Sequence, residues 1–336
     1  MKGFSIIIVT WNGLHHLKKF LPSVIKTKYP NFEIIVADNN STDGSIEWIK
    51  KTYPEVKIAA LNHNYGYTGG NNRALPFASK DILIFLNNDV EVTPNWLDAI
   101  SDTFEKDDSI AIVQPKLKSY EDKEFFEYAG AAGGFIDKWG YPFCRGRVFD
   151  HLEKDEGQYD NVSEITWASG AAYAIKRNIF EKFEGFDEDF EFHMEEIDLS
   201  WRILNEGYKA VFTPDSTVYH LGGGSLPMGS KRKVYYNFRN NLIMLTKNLP
   251  KSKLLYTIFF RLVLDGIAAL RSLFSGKLGE FASIFKAHVH FYLAFPKTMR
   301  KRKKLTGKRH NGILTPITIV WNFFILGNRT YRKIQP

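Results

Sequence analysis

The sequence predicts an α/β domain on a parallel sheet, followed by a basic helical tail. Three observations predict it. Over the first ninety residues, β-branched runs of strand length alternate with helix-like stretches, the pattern of a parallel sheet covered on both faces. Each run ends in a cluster of Asn, Asp, Ser or Gly, on the side where such sheets collect ligands. Charge is divided along the chain: from Lys231 onward 22 Lys and Arg face only Asp265 and Glu280, a net +20, while the first 230 residues carry −12.

The elements follow in order. Ser5–Thr10 is the first strand and a helix runs from about His15 to Lys28. Ile34–Ala37 is the second strand and Asp43–Lys51 a short helix. Lys57–Leu61, a helix over Thr68–Ala78 and a fourth strand over Asp81–Leu86 complete the alternation. Thr93-Pro94 provides an N-cap and first-turn proline for a helix to about Lys106. Val113–Val162 has no clear period. Trp167–Ile175 reads as another buried strand, and Glu195–Glu206 as a helix with acids in its first turn and Gly207 at its end.

Composition narrows the class. With 336 residues, 44% apolar and 24% charged, the chain is neither disordered nor collagen-like. One cysteine, Cys144, forms no internal disulfide, so a reduced cytosolic setting is expected. The opening MKGFSIIIVTWNG has one basic residue and an apolar run of five, which is not a signal-peptide pattern.

In the tail, Leu254–Phe274 is long enough to raise a membrane span. At about 100° per residue, however, Thr257, Arg261, Asp265, Arg271 and Ser272 fall in one arc, so an amphipathic helix lying in a membrane interface is expected. A second apolar stretch, Gly312–Gly327, would reach about 24 Å as a helix, short of a hydrocarbon core of about 30 Å. The basic run Lys297–Lys304 suits anionic lipid on a cytoplasmic face. The alternatives are helices that span the membrane, or a soluble helical subdomain with a solvated basic loop. Nucleic acid is not expected as a partner, because the basic residues are interleaved with aliphatic bulk and no nucleic-acid motif is present.

Several chemistries lose ground by absence. No G-x-G-x-x-G follows the first strand, no P-loop appears, and there is no G-x-S-x-G elbow. What remains is a polar rim: Thr10-Trp11-Asn12, Asp38–Gly44, Asn62–Gly70 and Asn87-Asn88-Asp89. Asp89 ends a buried run, where a carboxylate beside an amide suits a hard divalent cation that also takes phosphate oxygens. His220 precedes a glycine run expected to be flexible and is a candidate metal ligand or a structural histidine. His15, His16, His288 and His290 have no acidic neighbours in sequence and read as structural. In Glu195-Glu196-Ile197-Asp198, Glu195 and Asp198 share a helix face while Glu196 points about 100° away. Crowded carboxylates raise one another's pKa, and one near a substrate hydroxyl can act as a general base.

Taken together, VTWNG, VADNNSTDGS, the Asn64-x-Gly66-x-x-Gly69-Gly70-Asn71 loop, LNNDV, WASGAA and EEIDLSWR, in this order over about residues 4–245, resemble glycosyltransferase family 2, and within it the rhamnosyltransferase-like members of bacterial surface-polysaccharide pathways. The resemblance implies a GT-A fold, a Rossmann-like nucleotide-binding α/β sandwich on a mixed, mainly parallel sheet, with a C-terminal helical membrane-associated region. A catalytic domain is expected over 1–230, with a nucleotide-binding half to about 110 and an acceptor half beyond it, and a basic amphipathic tail over 231–336. It also implies inverting transfer from a nucleotide-diphosphate sugar (UDP-, dTDP- or GDP-linked) to a glycan or lipid-linked acceptor at the cytoplasmic face of the membrane.

The resemblance places Thr10, Asn12 and Asp38 at the nucleotide, with Asn64, Gly66, Asn71 and Asn88 completing the donor rim. Asp89 becomes the last acid of the D-x-D element and holds Mg²⁺ or Mn²⁺ with His220. Glu196 takes the place of the acceptor-activating base, with Glu195 and Asp198 beside it in the catalytic acid cluster. Two departures stand out: Asn87 replaces the first acid of D-x-D, and the family's Glu-Asp pair is Glu195-Glu196 here. The absence of Q-x-x-R-W implies addition of one or a few sugars rather than a polymer. The competing readings are a sugar-phosphate nucleotidyltransferase and a catalytically silent, membrane-associated glycan-binding protein.

Overall fold

The structure, a computed structural model, describes residues 2–222, 230–305 and 311–335. Its first part follows the expected alternation: β1 (Phe4–Thr10), α1 (Leu14–Ile25), β2 (Phe32–Asp38), α2 (Ser45–Thr52), β3 (Lys57–Ala60), α3 (Gly66–Ala74) and β4 (Ile82–Asn87). The strands lie side by side as β3-β2-β1-β4, all parallel. Ile6 is in register with Ile34 and Ile84, and Ile7 with Ile35 and Phe85. The first set packs with Leu17, Leu21 and Val24 of α1; the second belongs to the core on the opposite face, with Ala74, Phe180 and Phe186. Burial on both faces is why these runs are continuously apolar rather than alternating. The third helix stops at Ala74, short of the expected Ala78, and becomes a 3-10 turn over Leu75–Phe77 that holds Pro76, whose missing N–H cannot continue an α-helical ladder.

The chain continues through β5 (Val90–Val92), α4 (Trp96–Lys106), β6 (Ile110–Ser119), β7 (Gly134–Ile136), β8 (Pro142–Cys144), β9 (Arg147–Val148), β10 (His151–Leu152), β11 (Ser163–Ile165), β12 (Ala172–Lys176), α5 (Arg177–Lys182), α6 (Glu195–Leu204) and β13 (Lys209–His220). The main sheet runs β11-β13-β6-β12-β4-β1-β2-β3, with β5 paired to β13, and β12 is antiparallel to both β4 and β6, so the sheet is mixed. The region without a clear period holds β6 and a small antiparallel sheet, β10-β9-β8-β7. The strand expected over Trp167–Ile175 begins only at Ala172. Ser169 turns the chain first, its carbonyl accepting from Ala172 N at 3.2 Å and its hydroxyl from Ala171 N at 3.2 Å. The twelve-residue β13 was not legible in sequence. Thr213-Pro214-Asp215-Ser216 interrupts its apolar pattern, and the register against β6 shifts between Thr213 and Thr217, a bulge that carries the strand on to His220.

The C-terminal helices are α7 (Lys231–Asn248), α8 (Lys251–Phe274), α9 (Leu278–Lys304), α10 (Ile319–Phe324) and α11 (Tyr331–Ile334). Ser230 caps α7 by accepting from Lys233 N at 3.3 Å. Leu242, Met244 and Leu245 of α7 are buried in the same core as Phe85 and Tyr173. The expected helix over Gly312–Gly327 is reduced to α10, because Pro316 disfavours helix in the residue before it and Gly327 takes a left-handed φ of +70°. The basic run is also less open than expected: Lys297 and Lys301 pair with Asp189, each at 2.6 Å, and Arg302 donates to Thr246 O at 2.8 Å. Those side chains strap α9 to the domain. Among the described residues no helix is long and apolar enough to cross a membrane.

Candidate active site

The carboxyl ends of β1, β2 and β4 build one rim. Thr10 and Asp38 are in register at the ends of β1 and β2. Asn12, at φ +49°, accepts from Thr42 N at 2.8 Å, and its own N–H donates to Ser41 Oγ at 2.8 Å, so the loops after β1 and β2 are sewn together. Asn88 donates to Thr10 Oγ1 at 3.1 Å, which joins the β4 end to the same rim. Asp38 is buried: Oδ2 accepts from Ser41 N at 2.9 Å, while Oδ1 has no partner. A buried carboxylate oxygen without a donor is costly unless a ligand provides one.

The loop before α3 forms the rim's far wall. Asn64 Oδ1 accepts from Gly66 N at 2.9 Å, and Gly66, at φ +68°, presents its carbonyl to Asn39 Nδ2 at 2.9 Å. Asn71 is buried and donates to Tyr67 O at 3.0 Å. The side-chain bonds of Asn64 and Asn71 are therefore made to the start of α3, at Gly66 N and Tyr67 O, and they shape it. A Cβ on Gly70 would come 2.9 Å from Val9 Cγ1 and 3.0 Å from Asn39 Nδ2. Gly70→Ala is therefore expected to push Asn39 off the Gly66 carbonyl and weaken nucleotide binding, measurable by calorimetry, with an overpacking cost of about 1–3 kcal/mol in stability.

Asp89 and His220 come together from residues 131 apart: His220 Nε2 lies 3.1 Å from Asp89 Oδ1, and both are buried. The strand β5 that follows Asp89 pairs with the end of β13, Val90 opposite His220, which fixes the approach. On the other side of the ring, Glu127 Oε1 lies 3.2 Å from Nδ1. Burial opposes charge on His220, but Glu127 and Asp89 outweigh it and raise its pKa to about 10. Burial likewise works against an ionised Asp89, and His220 overcomes it, so the Asp89 pKa is lowered. The Asn87 carboxamide lies 3.3 Å from Nε2. Among the described residues no three His, Cys, Asp or Glu side chains group to hold a metal by themselves. With its pKa raised to about 10, His220 stands as an imidazolium between Asp89 and Glu127; Asp89 supplies the carboxylate oxygen a hard cation takes, and His220 would join it as a ligand only after giving up the Nε2 proton. The glycines at 223 and 224, expected to be flexible, lie outside the described residues.

The three acids of α6 have separate fates. Asp198 is fully buried and engaged by Arg202 Nε at 2.9 Å, Lys247 Nζ at 2.8 Å and Asn248 Nδ2 at 2.8 Å. Its carboxylate joins α6 to α7, with its bonds made to Arg202, Lys247 and Asn248. Glu195 is buried and Glu196 half-buried, and each has one carboxylate oxygen without a hydrogen-bond partner. Burial pushes Glu196 up to about 7; burial and then the Glu196 charge also push Glu195 well above the ordinary carboxylate range. Glu196 adjoins Gly170, where a Cβ would sit 3.4 Å from the Tyr67 hydroxyl and 3.9 Å from Glu196 Cβ. Tyr67 donates to Gly170 O at 2.7 Å, and the next residue, Ala171, accepts from Asn87 N at 3.0 Å. One short segment thus links the α6 acids to the end of β4.

The segment entering α6 is strained, with Glu191, His193 and Met194 all at positive φ. Buried Asn240 of α7 holds it: Nδ2 lies 2.7 Å from Phe190 O, 2.7 Å from Phe192 O and 2.9 Å from His193 O, while Arg239 Nε donates to its Oδ1 at 2.8 Å. Glu127, Tyr67 and Asn240 were all missed in sequence. Only Asn240-Asn241 left a signal, two amides inside an otherwise apolar helical stretch.

This geometry agrees with what the chain is similar to. It is 29% identical over 226 residues to the O-antigen biosynthesis protein RfbC of Myxococcus xanthus, a match covering 64% of this chain and 17% of that protein. It is 26% identical over 233 residues to the N-acetylglucosaminyl-diphospho-decaprenol L-rhamnosyltransferase of Mycobacterium tuberculosis, covering 64% of this chain and 75% of that one. The fold is that of GalNAc-T7, solved with UDP, GalNAc and Mn²⁺, at a TM-score of 0.61 and 18% identity over 97% of this chain and 57% of the other. The model of glycosyl transferase family 2 matches residues 5–180, and the chain belongs to that family.

Proposed function

We propose that the protein moves a sugar from a nucleoside-diphosphate donor to a hydroxyl of a glycan or lipid-linked acceptor at the cytoplasmic face of a membrane, with inversion at the anomeric carbon. The observation that carries this reading is Glu196, a half-buried carboxylate with a partnerless oxygen and a pKa raised to about 7, beside the Gly170-Ala171 segment that bonds to the end of β4. The acceptor oxygen attacks the anomeric carbon, Glu196 takes its proton, and the bond from that carbon to the diphosphate oxygen breaks. Asp38 receives the base edge, and the rim loops hold the donor in line. Asp89 and His220 would hold a divalent cation, which when bound supplies charge stabilisation to a diphosphate. The likeness to a decaprenol-diphosphate L-rhamnosyltransferase favours a deoxyhexosyl donor and a lipid-diphosphate acceptor.

Proton NMR of the freshly formed product tests the stereochemistry. An anomeric configuration opposite to the donor's is expected; a retained one overturns the single-displacement mechanism. The pH dependence follows from Glu196. A base must be ionised, so kcat is expected to fall about tenfold per pH unit below about 7 and to level off above it. A rate that stays flat down to pH 5 would remove Glu196 as the base.

Asn240→Ala is expected to release the strained segment ahead of α6. A displacement of about 1 Å at a reacting group costs up to about 10²-fold. The expected result is therefore a fall in kcat approaching that size, with donor affinity by calorimetry unchanged, since the donor rim lies on other elements.

A further inference from the structure

The first turn of α7 carries the opposite charge to the one a helix start favours. Lys231, Arg232 and Lys233 follow one another there with no acid among them, at the end where the helix dipole stabilises carboxylates. Among the described residues the Lys233 ammonium pairs with no acid; it lies 5.0 Å from the centroid of the Tyr128 ring. Arg147 of β9 meets the same ring, its guanidinium carbon 4.5 Å from the centroid. Arg147 is 7% exposed and donates to Phe149 O at 3.3 Å and to Cys144 Sγ at 3.4 Å, while its Nε has no partner. A buried guanidinium that no carboxylate neutralises is costly, and a carbonyl and a thiol do not offset its charge.

A third group lies within reach of the same charge. His193, in the strained segment ahead of α6, has a buried Nε2 without a partner, and burial followed by the Lys233 charge lowers its pKa to about 4. Burial also lowers the Lys233 pKa; Glu127 opposes that shift and Arg147 adds to it. What these groups lack in common is an anion. Their placement separates them from the donor rim: Lys233 is on α7, Arg147 on β9, Tyr128 in the loop after β6 and His193 before α6, and none is on β1–β4. The cluster nevertheless borders both ends of the reaction centre, since Glu127, next to Tyr128, contacts His220 Nδ1 at 3.2 Å and His193 stands three residues before Glu196. Tyr128 and Lys233 are partly exposed, so a ligand can reach them.

We propose that Lys233, Arg147 and Tyr128, with His193 beside them, form an anion subsite for a phosphate or diphosphate group carried by the acceptor. The inference rests on the transferase reading and adds that the acceptor is recognised by its phosphate as well as by its sugar. Ammonium and guanidinium groups take phosphate oxygens in charge-assisted hydrogen bonds, which would give the Lys233 ammonium and Arg147 Nε the partner they lack.

The test is calorimetry of the full chain with two kinds of probe: inorganic pyrophosphate in the presence of EDTA, and UDP, dTDP and GDP, each with Mn²⁺. The wild type is expected to bind pyrophosphate. Lys233→Ala should bind it at least about tenfold more weakly, and Lys233→Arg, which keeps the charge, within about threefold of the wild type. The nucleoside diphosphate that binds the wild type most tightly should bind Lys233→Ala equally well. Lys233→Ala removes no ion pair, so its melting temperature should match that of the wild type and the binding comparison is made between folded proteins.

Wild-type protein that does not bind pyrophosphate overturns the proposal, as does a Lys233→Ala variant that binds it as the wild type does. An equal loss of nucleoside-diphosphate affinity in Lys233→Ala also overturns it, because the ammonium then serves the donor's diphosphate. If no nucleoside diphosphate binds while pyrophosphate binding still depends on Lys233, the transferase reading fails and the anion subsite stands.

Discussion

Glu196→Gln is expected to lower kcat by about 10²–10⁴-fold, the usual contribution of a positioned general base, while leaving the melting temperature within a degree or two of the wild type or above it. The substitution keeps the shape of the side chain and removes only its ability to take a proton. Stability should not suffer, because the carboxylate is held against its preference: burial already pushes its pKa up to about 7, and one oxygen has no partner to lose. Donor affinity should be unchanged, since Asp38 and the β1–β2 loops lie on other elements. Single-turnover kinetics with calorimetry in parallel separates the two effects. A variant that retains wild-type kcat removes Glu196 from the mechanism.

The neighbouring acid gives the opposite result. Asp198→Ala is expected to cost about 3–5 kcal/mol of stability, because it leaves Arg202 and Lys247 buried without their shared counter-charge. It also unties α6 from α7, where Asn248 and Lys247 reach Asp198, and Lys247 in addition pairs with Asp187 at 2.6 Å. Urea denaturation measures it. Any loss of activity should track the unfolded fraction and disappear where the variant is fully folded, whereas loss at Glu196 persists in folded protein. Two acids two positions apart in one helix are thus separated by whether their lone pairs are filled.

This contrast also shows what a sequence can convey. The first four strands were legible because burial on both faces demands unbroken apolar runs, and the rim followed from where such strands end. Asp89 and His220 could be nominated separately, but their meeting depends on β13, whose pattern Thr213–Ser216 interrupts. Glu127 lies in a stretch with no period, so nothing local marked it. Asp198 looked like a partner of Glu195 because helical spacing reports only which residues share a face, and the cations that fill it arrive from α7. The polar residues of Leu254–Phe274 could be placed in one arc, yet which side that arc faces was open: it is turned to the protein, where Arg261 bonds to Asp265 and Asn241.

The most direct measurement is the melting temperature of the full chain with a panel of UDP-, dTDP- and GDP-sugars in the presence of Mn²⁺. One donor class is expected to stabilise the protein by about 2–3 kcal/mol at a hundredfold excess over its dissociation constant, and the effect should vanish in Asp38→Ala and Asp89→Ala. If no nucleotide sugar moves the transition, or if both variants respond as the wild type does, the polar rim is not a donor site.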